Sequence, residues 1–170
     1  MNTLTSNRKQ TIFVGIGEYD ASTEPDKRLK TMALGSCVAV VMLDPVMRCV
    51  GMIHMALPES GLDSRRAREL PGYFVDSGIP ALLAAMAQHG CTGVGRGWII
   101  KLVGGANIAD PDRNFNIGKR NVLAVKKALW ERKLVIKSED IGKHYSRTVS
   151  VDIATGYVTV SSPGRGEWNI

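Results

Sequence analysis

The sequence predicts an α/β domain built from mixed β-sheets. Runs of β-branched and apolar residues recur along most of the chain, and two helical segments lie among them and not in a separate block. Such interleaving favours an α/β arrangement in a single core. The 170 residues fit one domain, 1–170, and the hydrophobic content of 44 % allows an ordinary core without disulfides. The polar ends, residues 1–10 and 162–170, are expected to be flexible tails.

The first half of the chain is predicted to be mostly strand. Thr11–Glu18 alternates apolar and polar residues, as a strand does, whereas Tyr19–Lys27 is polar with a proline and predicts a loop. Val38–Asp44 and Cys49–Leu57 are two β-branched runs separated by a short polar segment, which is typical of a β-hairpin. The polar segment Pro58–Gly72 then predicts an exposed loop.

The second half alternates helices with strands. Val75–Gly90 has apolar residues at helical spacing and ends at a glycine, and Asn116–Lys133 places its lysines opposite an apolar face. Strands are predicted at Gly97–Gly105 and Leu134–Gly142. A last hairpin covers residues 146–162, where Thr155-Gly156 provides the positive-φ position of a tight turn.

Composition and charge narrow the functional classes. No apolar run is long enough to span a membrane, the N-terminus lacks the apolar segment of a signal peptide, and no membrane insertion is expected. Three cysteines at irregular spacing predict free thiols in a reducing cytoplasm. The net charge of +6 suits nucleic acid, an anionic membrane surface or an acidic protein. Scattered basic residues and only ten aromatics disfavour nucleic acid.

The predicted hairpin brings Cys37 and His54 to one face of a sheet. A two-residue loop places Cys37 directly opposite His54, and a four-residue loop places Ala39 opposite His54 with Cys37 diagonal to it. Both registers keep the two side chains within roughly 5–8 Å, whereas a loop of odd length separates them. The alternative is that Cys37 and His54 are ordinary core residues within an apolar sequence and have no catalytic role.

A cysteine beside a histidine can act as an activated nucleophile. The imidazole takes the thiol proton, stores a thiolate–imidazolium pair and later protonates a leaving group. Gly35-Ser36 lets the backbone turn sharply before the thiol, and the backbone N–H groups of Ser36 and Cys37 are candidates for holding an oxyanion. The cysteines and His54 lack the ligand spacing of a zinc site, so no metal and no cofactor are expected.

Several motifs in order resemble the chemoreceptor glutamine deamidases, the CheD family. They are "VGIGEYDAS", "LKTMALGSCVAVVMLDP", "GMIHMALP", "YFVDSGIPALLAAM", "KLVGGANI", "NIGKRNVLAVKKAL" and "SEDIGKHYSRTVSVDIATGYV". The resemblance implies a layered sandwich of mixed β-sheets flanked by helices, similar to bacterial deamidating-toxin cysteine hydrolases. It places the family's catalytic cysteine at Cys37, its histidine at His54 and its threonine at Thr31. It also implies hydrolysis of receptor glutamine side chains to glutamate through a thioester.

The resemblance further implies two partners, chemoreceptor cytoplasmic helices and a phosphatase of the CheC type. The polar segment with Arg65, Arg66 and Arg68 is expected to line the rim of the site and to attract an acidic receptor helix. Two other classes stay open: a non-catalytic module that docks on receptor or phosphatase, and a cysteine protease or transglutaminase with another substrate.

Overall fold

A computed structural model describes residues 9–93, 95–108 and 115–170 of the chain. Over these ranges the chain forms two five-stranded sheets and three α-helices. The strands are β1 (Gln10–Phe13), β2 (Tyr19–Ser22), β3 (Lys27–Leu34), β4 (Val38–Asp44), β5 (Cys49–Met55), β6 (Ile99–Gly104), β7 (Ile136–Ile141), β8 (Arg147–Asp152), β9 (Val158–Ser162) and β10 (Gly166–Asn169). The helices are α1 (Ser64–Glu69), α2 (Val75–Ala87) and α3 (Ile117–Glu131).

The two sheets are both mixed, as the sequence predicts. The outer sheet has the order β1-β3-β8-β9-β10, in which only the β1–β3 pair is parallel among the described strands. The inner sheet has the order β2-β5-β4-β6-β7, and its β6–β7 pair is parallel. The predicted α/β layered sandwich is therefore confirmed.

The inner sheet lies between the helices and the outer sheet. One face of β4, with Val38, Val40 and Met42, packs into a core shared with α2 and α3. The other face, with Ala39 and Val41, packs against the outer sheet. Every residue of β4 and β5 is buried, which explains why both strands are continuous apolar runs and do not alternate.

Three parts of the secondary structure differ from the sequence prediction. The predicted loop Tyr19–Lys27 contains β2, which pairs with β5 at the edge of the inner sheet. The predicted strand Thr11–Glu18 stops at Phe13. The predicted loop Pro58–Gly72 contains α1, because Asp63 caps this helix by accepting a hydrogen bond from the N–H of Arg66 at 2.9 Å.

The C-terminal residues form a strand and not the flexible tail that we expected. β10 pairs antiparallel with β9 along the edge of the outer sheet. The Trp168 Nε1–H donates a hydrogen bond to Asp140 Oδ2 at 2.9 Å, and this bond ties β10 to β7 of the other sheet. The expected N-terminal tail lies largely outside the described residues, and Gln10 already belongs to β1.

A close backbone contact joins α3 to the turn after β6. A Cβ atom added at Gly118, in the first turn of α3, would lie 2.5 Å from the Gly105 carbonyl oxygen and 2.7 Å from that of Ala106. No side chain fits at that distance, so glycine is required at residue 118 for packing. The contact brings the first turn of α3 against the segment that borders Cys37.

We expect Gly118→Ala to lower the stability of the fold. Gly→Ala inside a helix usually stabilises by about 1 kcal/mol. Here the added methyl group meets backbone atoms, and such overpacking destabilises by about 1–3 kcal/mol. Thermal unfolding followed by circular dichroism measures the change. Gly61→Ala is the matched control, because a Cβ at Gly61 meets nothing within 4 Å. A rise in the melting temperature of Gly118→Ala would contradict the packing argument.

Candidate active site

A buried hydrogen bond between Thr31 and His54 joins the two sheets. Thr31 lies on β3 of the outer sheet and His54 on β5 of the inner sheet. The distance between Thr31 Oγ1 and His54 Nδ1 is 2.7 Å, and each residue is only 1 % exposed. The bond fixes the orientation of the imidazole ring within the layer between the sheets. Two of the three residues that the sequence indicates are thus in direct contact.

The hairpin register places Cys37 in the layer between the two sheets, directly before the first residue of β4. Asp44 pairs with Cys49 and Ala39 with His54, so of the two registers left open by the sequence the one with a four-residue loop is formed. Cys37 directly precedes β4, diagonal to His54 in this register, and packs against the core between the sheets. His54 Nε2 is buried and makes no hydrogen bond to any described residue. The thiol is therefore not a hydrogen-bonding partner of the imidazole.

Burial keeps both groups uncharged at rest. Desolvation lowers the pKa of His54 to about 4, from an ordinary value of 6.5. Desolvation also raises the pKa of the Cys37 thiol, although the backbone N–H of the same residue acts in the opposite direction. The thiolate–imidazolium pair that the sequence suggests is therefore not the resting state. Both pKa directions favour a neutral thiol and a neutral imidazole near pH 7.

The carbonyl groups of the segment Gly35-Ser36-Cys37 are all held by other elements. The N–H of Ala106 donates to the Gly35 oxygen at 2.8 Å, and the N–H of Gly105 donates to the Cys37 oxygen at 2.8 Å. An Asn121 side chain donates to the Ser36 oxygen at 3.0 Å. Within the described residues, neither the Ser36 nor the Cys37 N–H donates to another backbone group. These two N–H groups are therefore not used by the secondary structure.

The chain bends at Gly35 and Ser36 before the thiol, as expected, and the strained backbone lies just upstream of this bend. β3 contains a bulge between Thr31 and Leu34, and Ala33 within it has a φ of 57°. This left-handed conformation is uncommon for a residue with a Cβ atom, and such strain is concentrated at functional sites. Ala33 lines the same cavity as Cys37.

An open cavity of about 670 Å³ borders the thiol. The residues that line it are Ala33, Gly35, Ser36, Cys37, Ala106, Asn107, Ile108, Phe115, Ile117 and Gly118. None of these described lining residues comes from α1, so the expectation that Arg65, Arg66 and Arg68 form the rim is wrong for this cavity. Arg65 instead pairs with Glu69 at 3.0 Å, and Arg66 stacks on the ring of Tyr73.

The remaining cysteines lie in a different layer from Cys37. Cys49 and Cys91 are buried in the core between the helices and the inner sheet. Burial raises the pKa of Cys91 to about 12 and also raises that of Cys49.

Among the described residues, no group of three His, Cys, Asp or Glu side chains is arranged to hold a metal ion. No helix in the described ranges is long and apolar enough to cross a membrane.

The fold is an α/β sandwich of two mixed sheets, and the site combines a thiol in a cavity wall with a buried histidine held by a threonine. The family model described as CheD chemotactic sensory transduction matches residues 56–162. That span begins after all three candidate residues. A match over more than half of the chain, together with the relatives described next, shows that the chain belongs to the CheD family.

Three relatives extend the similarity over almost the whole chain. The probable chemoreceptor glutamine deamidase CheD of Syntrophotalea carbinolica is 50 % identical over 159 residues, which cover 94 % of this chain and 98 % of that protein. The probable chemoreceptor glutamine deamidase CheD 1 of Syntrophus aciditrophicus is 39 % identical, with coverages of 90 % and 94 %. The chemoreceptor glutamine deamidase CheD of Thermotoga maritima is 38 % identical, with coverages of 91 % and 93 %.

Burial of a neutral His54 should make stability depend on pH. The unfolded chain takes up the proton first as the pH falls, because the folded pKa is lowered to about 4. The contribution of His54 is therefore complete above pH 6.5 and is lost between pH 6.5 and 4, by about 3 kcal/mol in all. Roughly 2 kcal/mol of it is lost by about pH 5.

Urea unfolding at about pH 7.5 and about pH 5 tests this expectation. The wild-type protein should lose about 2 kcal/mol more than His54→Gln over this interval. His89→Gln is the control, because His89 is exposed and should leave the wild-type dependence unchanged. Equal pH dependence in the wild type and in His54→Gln would show that His54 is not held neutral by burial.

Proposed function

We propose that this protein is a protein-glutamine glutaminase that converts glutamine side chains of methyl-accepting chemoreceptors to glutamate. The observation that carries the proposal is the 2.7 Å hydrogen bond between Thr31 Oγ1 and His54 Nδ1. It occupies one ring nitrogen and leaves Nε2 as the nitrogen that can exchange a proton with Cys37. The names of the relatives, chemoreceptor glutamine deamidases, support the choice of substrate.

In the first step Cys37 attacks the substrate carboxamide. The thiol proton moves to His54 Nε2 while a bond forms between Cys37 Sγ and the amide carbon. The carbonyl oxygen becomes an oxyanion, for which the N–H groups of Ser36 and Cys37 are the proposed donors. His54 then gives its proton to the amide nitrogen, the carbon–nitrogen bond breaks and ammonia leaves. The product of this step is a thioester on Cys37.

In the second step water replaces the sulfur. His54 Nε2 removes a proton from the water as its oxygen attacks the thioester carbon, and the second tetrahedral intermediate collapses with cleavage of the carbon–sulfur bond. The proton returns from His54 to Cys37 Sγ. The site is restored, and the substrate side chain leaves as a carboxylic acid, which releases its remaining proton to solvent and becomes a carboxylate. No cofactor takes part in this sequence.

Thr31 acts through His54 and does not transfer a proton to the substrate. If Nε2 is to accept the thiol proton, Nδ1 must carry the other ring hydrogen and donate it to Thr31 Oγ1. A hydroxyl group selects this tautomer without adding a negative charge. This agrees with the lowered pKa of His54, for which burial is the sole cause found.

The cavity supports a protein substrate. Ile108 and Phe115 line it and are both exposed to solvent, which suits contact with the side of a helix that presents the target glutamine. We propose that receptor cytoplasmic helices bind here and that a CheC-type phosphatase binds the same face. Three free cysteines support action in the cytoplasm, where thiols stay reduced.

We expect Cys37→Ser to abolish deamidation and to leave the fold intact. A hydroxyl is far less ionised than a thiol and is a weaker nucleophile with the same base. The assay is mass spectrometry of a purified chemoreceptor cytoplasmic fragment after incubation, with ammonia release measured in parallel. Cys91→Ala is the matched control, since Cys91 lies in the core on the helix side of the inner sheet. It should retain wild-type turnover.

The same assay separates the proposal from its main alternative. A binding module would bind the receptor fragment with no change in fragment mass and no release of ammonia. Full activity of Cys37→Ser would remove the thiol from the mechanism, and cleavage of the fragment backbone would indicate a protease.

We expect Thr31→Val to reduce turnover by less than the loss of His54 does. Valine keeps the shape of threonine but leaves Nδ1 without its partner, so the tautomer and orientation of the ring are no longer fixed. A positioned acid–base group raises turnover by about 10²–10⁴-fold, so His54→Ala should have the lowest kcat in this comparison. Steady-state kinetics on the receptor fragment should show lower kcat with little change in KM. Unchanged kcat would reduce Thr31 to a packing residue.

A further inference from the structure

A buried asparagine lies on the inner face of α3. This face consists of Gly118, Asn121, Val122, Val125 and Leu129, together with Ala128. All of these except Asn121 are apolar, and Asn121 is completely buried. A buried amide is unfavourable unless its polar atoms are hydrogen-bonded. The contacts of Asn121 therefore show why a polar residue occupies this position.

The side-chain nitrogen of Asn121 binds two backbone carbonyl groups from distant parts of the chain. Nδ2 donates to the Ser36 oxygen at 3.0 Å and to the Ala56 oxygen at 2.9 Å. The orientation of the amide is unambiguous, because both partners are acceptors and only the NH₂ group donates. The two N–H bonds of this group are thus both used, whereas Oδ1 is buried without a partner among the described residues.

The two carbonyl groups belong to the two segments that carry the proposed chemistry. Ser36 directly precedes Cys37, and Ala56 lies two residues after His54, just beyond β5. Both oxygens lie within hydrogen-bond distance of one nitrogen, so the two segments are held as neighbours. We propose that Asn121 is a positioning residue that sets the placement of Cys37 relative to His54.

The other hydrogen bonds to the segment Gly35-Ser36-Cys37 do not link it to the residues that follow β5. Gly105 and Ala106 bind the Cys37 and Gly35 oxygens, but they connect the segment to β6 and not to β5. In the hairpin ladder the last pair is Val38 with Met55, so the ladder ends before Cys37 and Ala56. Asn121 closes the open end of the hairpin beyond that pair. The inference rests on the proposed function, in which Cys37 and His54 exchange a proton.

The variant Asn121→Asp tests the inference through its pH dependence. An ionised aspartate has the shape of asparagine but donates no hydrogen bond, and it repels both carbonyl oxygens. A protonated aspartic acid donates one bond and restores part of the contact. His54 stays neutral from pH 8 to 6, because its pKa is about 4. The ratio of variant to wild-type kcat should therefore increase as the pH falls through this interval.

The size of the effect follows from the geometry. A displacement of about 1 Å at reacting groups reduces turnover by about 100-fold. We expect a loss of this order in kcat for Asn121→Asp at pH 8 and for Asn121→Ala at any pH, with KM changed by less than about three-fold. Val125→Ala is the matched control, because it shortens a buried apolar side chain on the same helix face, one that has no hydrogen-bonding group. It should lower the melting temperature and retain kcat when assayed well below that temperature.

A second readout needs no receptor. The rate of alkylation of Cys37 by iodoacetamide, located by peptide mass spectrometry, should differ between wild type and Asn121→Ala and stay at the wild-type value in Val125→Ala. If the wild-type protein fails to deamidate the receptor but the alkylation difference is present, the proposed function fails and the positioning role stands.

Three results would overturn the inference. They are kcat and alkylation rates in both Asn121 variants within about two-fold of wild type, an equal loss of kcat in Val125→Ala, and failure of both Asn121 variants to fold. The last result would make Asn121 a residue of the core and not of the site.

Discussion

Burial of the β4–β5 hairpin on both faces is the constraint on which the rest of the structure depends. The helices cover one face and the outer sheet covers the other, so every residue of both strands is buried. A polar side chain in the middle of this hairpin needs a buried hydrogen-bonding partner. His54 finds Thr31 on the outer sheet, and the same packing that makes the bond necessary also holds the ring in one orientation.

The strands and helices with strong periodicity could be predicted from the sequence, whereas the edge elements could not. The central hairpin and the two long helices bury large apolar surfaces, and their patterns therefore appear in the local sequence. β2 and β10 are short and polar, and each becomes a strand because a partner strand offers free hydrogen-bonding groups. The information that makes them strands lies in their partners, β5 further along the chain from β2 and β9 just before β10.

The candidate residues of the site could be located from the sequence. Their charge state and the hydrogen bonds that Asn121 donates next to them could not. Spacing across the hairpin placed Cys37 near His54 and left two registers open, of which the four-residue loop is correct. Proximity suggested an ion pair, yet burial outweighs it and keeps both groups neutral. Asn121 interrupts an apolar helix face, which is a visible signal, but its partners are 85 and 65 residues away.

The neutral resting state of Cys37 has a consequence for the chemical durability of the protein. Peroxides and disulfides react with the thiolate and hardly at all with the thiol. A raised pKa therefore shields the partly buried nucleophile from oxidation while no substrate is bound. Many cysteine enzymes keep a stored thiolate ready and need reductants to repair it. In the proposed mechanism the proton is removed only when a substrate occupies the cavity, so idle molecules are protected from irreversible oxidation of the thiol.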